Sequence, residues 1–292
     1  MHESDSRYVC DISFEETWEE SWKSHFKQQL LLVEAKGSLA RVLYNGGGYK
    51  SRHDVMIRNL NEALRRRPVS SMKRFYIFTG DSLPHGVGLE WKLLSTVGKR
   101  SDHRTVIPDA YSFSWPEIGI KDFESYNFEM YHKTLESTQS QKVLNRAFWR
   151  GSIHQNFARV KFNEYVRDRP EFDVSDSEQT GFFEMKDVGG YSTLIDLPGQ
   201  GYSARLKHLL VSGRPVIVYP REHWDWVTLR LEPGIHFCTT LPSVEDLANR
   251  CLMFLGNPDA REHYAKAAYQ VSSLISKDSL YNAIAGAIGS CD

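Results

Sequence analysis

Apolar residues recur every fourth position at Phe14, Trp18, Trp22 and Phe26, a spacing that predicts an amphipathic helix over residues 14–35. Arg41 to Tyr44 reads as a strand that runs into the turn Asn45-Gly46-Gly47-Gly48. Val55, Met56, Leu60 and Leu64 keep helical period across residues 52–67, and Pro68 lies beyond that helix's end. Phe75 to Phe78 is a short apolar strand that stops at Thr79-Gly80-Asp81. Thr105 to Phe113 holds another strand candidate, interrupted by Pro108.

Residues 131–142 are polar and read as a linker, after which the alternation restarts. Arg146 to Trp149 ends a strand, Phe157 to Val166 is a helix, and Ser192 to Leu197 is a strand. A helix over Tyr202 to Val211 and strands over Val216 to Tyr219 and Ile235 to Cys238 follow. Ser243 then caps a helix, and residues 259–288 are mostly helical. Repeated strand–helix–strand units imply a parallel sheet covered on both faces. The expectation is an α/β protein of two Rossmann-like domains with a cleft between them. The boundary is drawn between residues 1–135 and 136–292, with the last helix free to return to the first domain.

A length of 292 residues fits two domains. Thirty-six basic against 37 acidic residues leave a net charge of −1, which argues against a nucleic-acid partner. Cys10, Cys238, Cys251 and Cys291 show neither a disulfide framework nor zinc-ligand spacing. No apolar run is long enough to span a membrane, and no signal peptide or retention tail is visible, so a cytoplasmic location is expected.

Three segments carry chemistry. Leu194 to Arg205 takes a strand into Gly199-x-Gly201-x-x-Ala204 and a helix, so Gly199, Gly201, Tyr202 and Ser203 can offer donors to a phosphate. Arg205 in the first helical turn opposes the helix dipole, which an anion would explain, and Glu222 past the next strand can hold ribose hydroxyls. The same turn also suits a nicotinamide-dependent oxidoreductase, or an ordinary strand-to-helix connection. Phe148-Trp149-Arg150-Gly151-Ser152 at a strand end can grip a diphosphate through Arg150, or simply place a surface arginine in an ion pair. Asp81 at the end of an apolar strand can accept a proton from a hydroxyl, or merely form a turn. His85 and Gly86 beside it, and His53 in Ser51-Arg52-His53-Asp54, are acceptor-site candidates, although the latter stretch also reads as a helix start. No P-loop, His-Glu-x-x-His or Asp-x-Asp motif occurs, and Asp173-Val174-Ser175-Asp176 has loop character.

Taken together, these segments resemble glycosyltransferase family 90, the group of Rumi-type protein O-glucosyltransferases and capsule-associated xylosyltransferases. The carriers are Phe148 to Ser152, the Ser203-x-Arg205-x-Lys207-x-Leu209 run, Pro215 to Trp226, Asp81 before Pro84, and Tyr111 to Ser114. The Asp81–Pro84 spacing is one residue longer than the family's Asp-x-Pro. The resemblance implies a GT-B arrangement, with an N-terminal acceptor-binding domain and a C-terminal domain for a UDP-sugar. It implies inversion at the anomeric carbon and a glycan or glycoprotein acceptor, with xylose favoured over glucose as the sugar moved. No cofactor is essential on this reading, and a divalent metal is at most stimulatory. Arg150, Ser152, Ser203 and Arg205 match the diphosphate contacts and Asp81 the catalytic base, with Glu90, Asp109 and Asp54 in reserve. A cytosolic microbial or viral member is the form that the missing secretory features suggest.

Overall fold

The computed structural model describes residues 12–14, 19–82, 87–89, 92–101, 105–139, 143–181 and 183–291. In chain order the first elements are β1 (Ile12–Phe14), α1 (Glu20–Gln28), β2 (Leu30–Gly37), β3 (Leu39–Asn45), α2 (Lys50–Arg66) and β4 (Val69–Phe78). Next come β5 (Val87–Leu89), β6 (Lys92–Ser95), β7 (Thr105–Val106), α3 (Phe123–Gln139), β8 (Leu144–Gly151), α4 (Phe157–Val166) and β9 (Phe172–Asp176). The rest are α5 (Ser177–Thr180), β10 (Tyr191–Asp196), α6 (Leu206–Leu210), β11 (Val216–Val218), β12 (Cys238–Thr239), α7 (Val244–Phe254), α8 (Pro258–Leu274) and α9 (Lys277–Gly289).

The chain divides into two compact units. The first holds residues 1–122 together with 223–229 and 277–292, and the second holds 123–222 and 230–276. No described helix is long and apolar enough to cross a membrane.

The first unit carries a five-stranded sheet in the order β3-β2-β4-β6-β7. Its β2–β3 and β2–β4 pairs are antiparallel, and β4–β6 and β6–β7 are parallel. The expected all-parallel sheet is therefore a mixed one here, because β2 and β3 form a hairpin. Gly37, with φ +60, supplies the left-handed conformation at its turn. A separate two-stranded pairing joins β1 to β5. The single helix expected over 14–35 is also corrected. Leu30, Leu31, Leu32 and Val33 are all fully buried in succession, which a strand covered on both faces achieves and one stripe of a helix cannot. Trp18 lies outside the described residues. Of the strand expected over Thr105 to Phe113, only β7 forms. Pro108, which has no N–H for a ladder, follows it, and Ala110–Ser112 is a 3-10 turn.

The second unit holds a fully parallel sheet, β12-β11-β10-β8-β9, as a Rossmann-like core requires. Trp149, Phe162, Ile195, Leu197, Ile217 and Leu247 pack together between this sheet and helices α4 and α7. Residues 131–139 of the expected linker are instead the last turns of α3. Nothing there breaks a helix, and Lys133 pairs with Glu136 one turn on. The 135/136 boundary thus falls within α3. Asp173 to Asp176, expected as a loop, belongs to β9. The strand expected over Ile235 to Cys238 is the two-residue β12, and residues 259–288 are mostly helical as expected, in α8 and α9.

Leu32→Ala is expected to cost about 2–5 kcal/mol of unfolding free energy, since Leu32 has no solvent contact. Trp22→Ala, at a residue 62% exposed, is expected to stay within about 0.5 kcal/mol. Urea titration followed by fluorescence checks both. A continuous helix over 14–35 would make Trp22 the more costly site.

Candidate active site

The carboxyl edge of a parallel sheet is where α/β proteins gather their ligand groups. In the second unit, four arginines come together there. Side chains alternate along β8, so Phe148 and Arg150 face one way and Trp149 the other. Arg150 donates from Nη2 to Asp173 Oδ1 at 3.1 Å, and the Tyr191 hydroxyl donates to Asp173 Oδ2 at 2.7 Å. Burial and this hydrogen bond push the Tyr191 phenol well up from its ordinary value. The Nε of Arg150 is buried, and no acceptor among the described residues reaches it.

At the end of β10, Asp196 has no solvent exposure. It accepts a hydrogen bond from Ser203 Oγ at 2.7 Å, and Arg221 Nη2 lies 2.5 Å from its Oδ2. Arg205 reaches back to donate to the carbonyl of Arg150. Arg159 ties the two loops together: its Nε donates to the Pro198 carbonyl at 2.7 Å and its Nη1 to the Ser152 carbonyl at 2.8 Å. The guanidinium carbons of Arg159 and Arg205 lie 5.3 and 5.5 Å from the centre of the Trp149 ring. Burial lowers both arginines, Arg159 to about 10, and each also feels the positive charge of Arg221. Asp196 opposes that lowering in both. Desolvated positive charge in this excess is costly unless an anion compensates it.

The packing at Gly151 is tight. A Cβ there would stand 3.1 Å from the Trp149 ring and 3.3 Å from Arg205 Nη2. Gly151, Gly199 and Gly201 all lack a positive φ. The Gly199 carbonyl accepts from Asn156 Nδ2 at 2.9 Å. The helix expected from Tyr202 begins only at Leu206, with Arg205 at its N-cap. Ser203 is drawn to Asp196, which holds this segment out of helical conformation, and Tyr202 is buried. The donors gathered here are therefore side chains and loop groups, and α6 is a single short helix of five residues. Glu222 is exposed, one residue beyond Arg221. Beside Arg150 and Arg205, a cavity of about 170 Å³ is walled by Phe148, Phe183 and Met185.

In the first unit, Asp81 follows β4 with its side chain 43% exposed. Arg52 from α2 holds it, with Nη1 at 3.0 Å from Asp81 Oδ1 and 2.7 Å from the Thr79 carbonyl. The Arg52 guanidinium carbon lies 4.8 Å from the Tyr49 ring centre and 5.6 Å from that of Tyr111. His53 is fully buried, with Nδ1 2.7 Å from Asn45 Oδ1 and Nε2 3.0 Å from Thr79 Oγ1. It braces the end of β4, and both ring nitrogens are taken up in doing so. His85, Gly86 and Glu90 lie outside the described residues. Asp109 is buried and accepts from Ser112 Oγ at 2.6 Å, and Asp54 pairs with Lys50.

Several members of these clusters escaped the reading by motif: Arg52, Arg159, Asp173, Asp196 and Arg221. One of them carried a signal. Arg159 lies on the buried face of α4 with Phe162 and Val166, at helical spacing, where an unexplained charge marks a built interaction.

A parallel α/β unit with buried arginines at its carboxyl edge carries the positive charge that an anion would seek. The chain belongs to glycosyl transferase family 90, whose sequence profile matches residues 93–281. All the arginines of the second unit's cluster fall inside that match, and Asp81 precedes it. The chain is also 27% identical over 131 residues to the O-glucosyltransferase LpsA of Dichelobacter nodosus, 42% of this chain and 41% of that protein. It thus spans about two-fifths of that relative's length. Membership in this family sets aside the oxidoreductase reading of the Gly199–Ala204 turn.

Burial, and next the charge of Arg52, lower His53 from its usual 6.5 to about 4. Between those values the unfolded chain binds a proton that the folded one refuses, so stability falls as the pH drops through that window. The loss is expected to approach about 2–3 kcal/mol near pH 4. Thermal unfolding of the wild type and of His53→Gln across pH 4–7 checks this. A variant whose stability varies with pH as steeply as the wild type's would assign the loss to other groups.

Proposed function

We propose that this protein transfers a sugar from a UDP-sugar to a hydroxyl of a glycan or glycoprotein, with inversion at the anomeric carbon. The observation that carries the reading is the gathering of four arginines at one sheet edge, where Arg159, Arg205 and Arg221 bear on the buried carboxylate of Asp196 and Arg150 pairs with Asp173. When the bond to the sugar breaks, negative charge builds up on the departing diphosphate. Fixed guanidinium groups stabilise that charge without having to reorganise, so no metal is essential. Arg150 contributes a buried Nε that no described acceptor reaches. Ser152, the Gly199–Tyr202 turn and the backbone N–H of Ser203 complete the phosphate contacts, the Ser203 hydroxyl being held by Asp196, and Glu222 takes the ribose hydroxyls. The cavity walled by Phe148, Phe183 and Met185 suits a flat pyrimidine ring.

Inversion needs one base to take the acceptor's proton. Asp81 fills that role in this reading: its carboxylate is half exposed at a strand end, and Arg52 fixes its orientation. In this reading the fold class is GT-B. The relative's name favours glucose as the sugar, ahead of the xylose of the capsule-associated branch.

Asp81→Asn is expected to lower turnover by about 10²–10⁴-fold with UDP affinity retained. Arg205→Ala is expected to weaken UDP by about 10–100-fold, the worth of one charge-assisted contact. Calorimetry with UDP, and initial rates with UDP-glucose and UDP-xylose, read both. Unchanged UDP affinity in Arg205→Ala would remove the diphosphate assignment. Near-normal transfer by Asp81→Asn at saturating substrates would move the base elsewhere.

A further inference from the structure

We infer that one end of the first unit's five-stranded sheet is a docking surface for an anionic phospholipid bilayer. The surface is built where the β2–β3 hairpin turns. Gly37 stands opposite Val69 in the register, so the start of β4, and with it the end of α2, lies at the same end as that turn. Segments 34–41 and 62–74 meet there. Between them they hold seven basic and two acidic residues, in a chain whose net charge is −1.

Part of that charge is matched within the protein. Arg65 and Arg66 share Glu62, Arg66 also reaches Asp278 of α9, and Arg74 pairs with Glu34. Lys36, Arg41 and Arg67 are exposed and make no ion pair with any described residue. Two apolar side chains stand among these cations. Leu39, 71% exposed, is paired with Lys36 across the hairpin. On the other side of β2, Ala35 is opposite Lys73 and Gly37 opposite Val69, so Ser70–Met72 bulge from β4 opposite Lys36. Met72 is 54% exposed. One exposed leucine on a surface needs no explanation, whereas two apolar side chains set on either side of an exposed lysine mark a contact face.

The chemistry selects the partner. Cations attract the headgroups of anionic lipids, with a gain of about fivefold in affinity for each Lys or Arg near the surface. Leu39 and Met72 can enter the acyl boundary beneath the headgroups, a gain that a purely ionic partner does not offer. A nucleic acid would also attract the cations, but exposed aromatic rings are what grip its bases, and segments 34–41 and 62–74 contain no aromatic residue. The contact is peripheral, made by a hairpin turn and a helix end, and it does not depend on the UDP-sugar reading.

The test is co-sedimentation of the full chain with vesicles of phosphatidylcholine alone and of an equimolar mixture of phosphatidylcholine and phosphatidylglycerol. Binding to the mixed vesicles is expected to be about 10-fold or more tighter than to the neutral ones, and to weaken as salt is raised. The double variant Lys36→Gln/Arg67→Gln is expected to lose about 25-fold, or about fivefold for each cation removed. Leu39→Asp is expected to lose about 10-fold or more, through the apolar contact. All three positions are exposed, so thermal unfolding of these variants is expected to match the wild type's. Equal binding to the two kinds of vesicle, or undiminished binding in both variants, would overturn the proposal. Tighter binding of a single-stranded RNA homopolymer than of the mixed vesicles would overturn it as well, and assign the surface to nucleic acid.

Discussion

The second unit is organised around a carboxylate that water does not reach. Asp196 ends the central strand of a parallel sheet, where its charge must be matched from within the protein. Arg221 and Ser203 match it directly, and the charges of Arg159 and Arg205 bear on it. At the neighbouring strand end Arg150 is matched in the same way by Asp173. Removing Asp196 would release Ser203 and leave Arg221 buried without its counter-charge. The loop before α6 would lose the contact that sets its shape.

Local backbone choices follow from the same constraint. Ser203 turns toward Asp196, so the helix after the glycine turn cannot start before Leu206. Gly151 is bare because Trp149 and Arg205 close over it. Arg159, on the buried face of α4, fastens the loop after β8 to the loop after β10. These links make one rigid edge of what would otherwise be separate connections, and catalysis by electrostatic preorganisation needs that rigidity. In the first unit a similar device works on a smaller scale. Arg52 anchors in the Thr79 carbonyl and presents its other face to aromatic rings, so that Asp81 is held in a defined place.

Much of this fold is legible in the sequence where a single periodicity governs a segment. Residues of α2, α4 and α7 keep helical spacing between clear caps or breakers, and their bounds agree closely with the pattern. The strands β8, β10 and β11 are apolar runs punctuated by Gly and Pro. Leu30 to Val33 was not separable from the helix before it, because the chain passes from α1 to β2 with no Gly or Pro between them. The polar end of α3 looked like a linker because the face it exposes is polar. At the site, Arg150, Ser203 and Arg205 stand out through short-range motifs. Asp173, Asp196 and Arg221 act through partners far away in sequence, so a reading by motif has no means of pairing them. Their significance comes from burial, which only the fold reveals.

The central claim is that the arginine-rich edge of the second unit recognises a diphosphate. Calorimetric comparison of UDP with uridine on the unmodified protein tests it most directly. The account predicts that UDP binds at least about 100-fold more tightly than uridine, since two or more charge-assisted contacts of about 1.5–3 kcal/mol are at stake, and that the difference shrinks as salt is raised. Equal affinities for UDP and uridine, or a difference indifferent to salt, would contradict it.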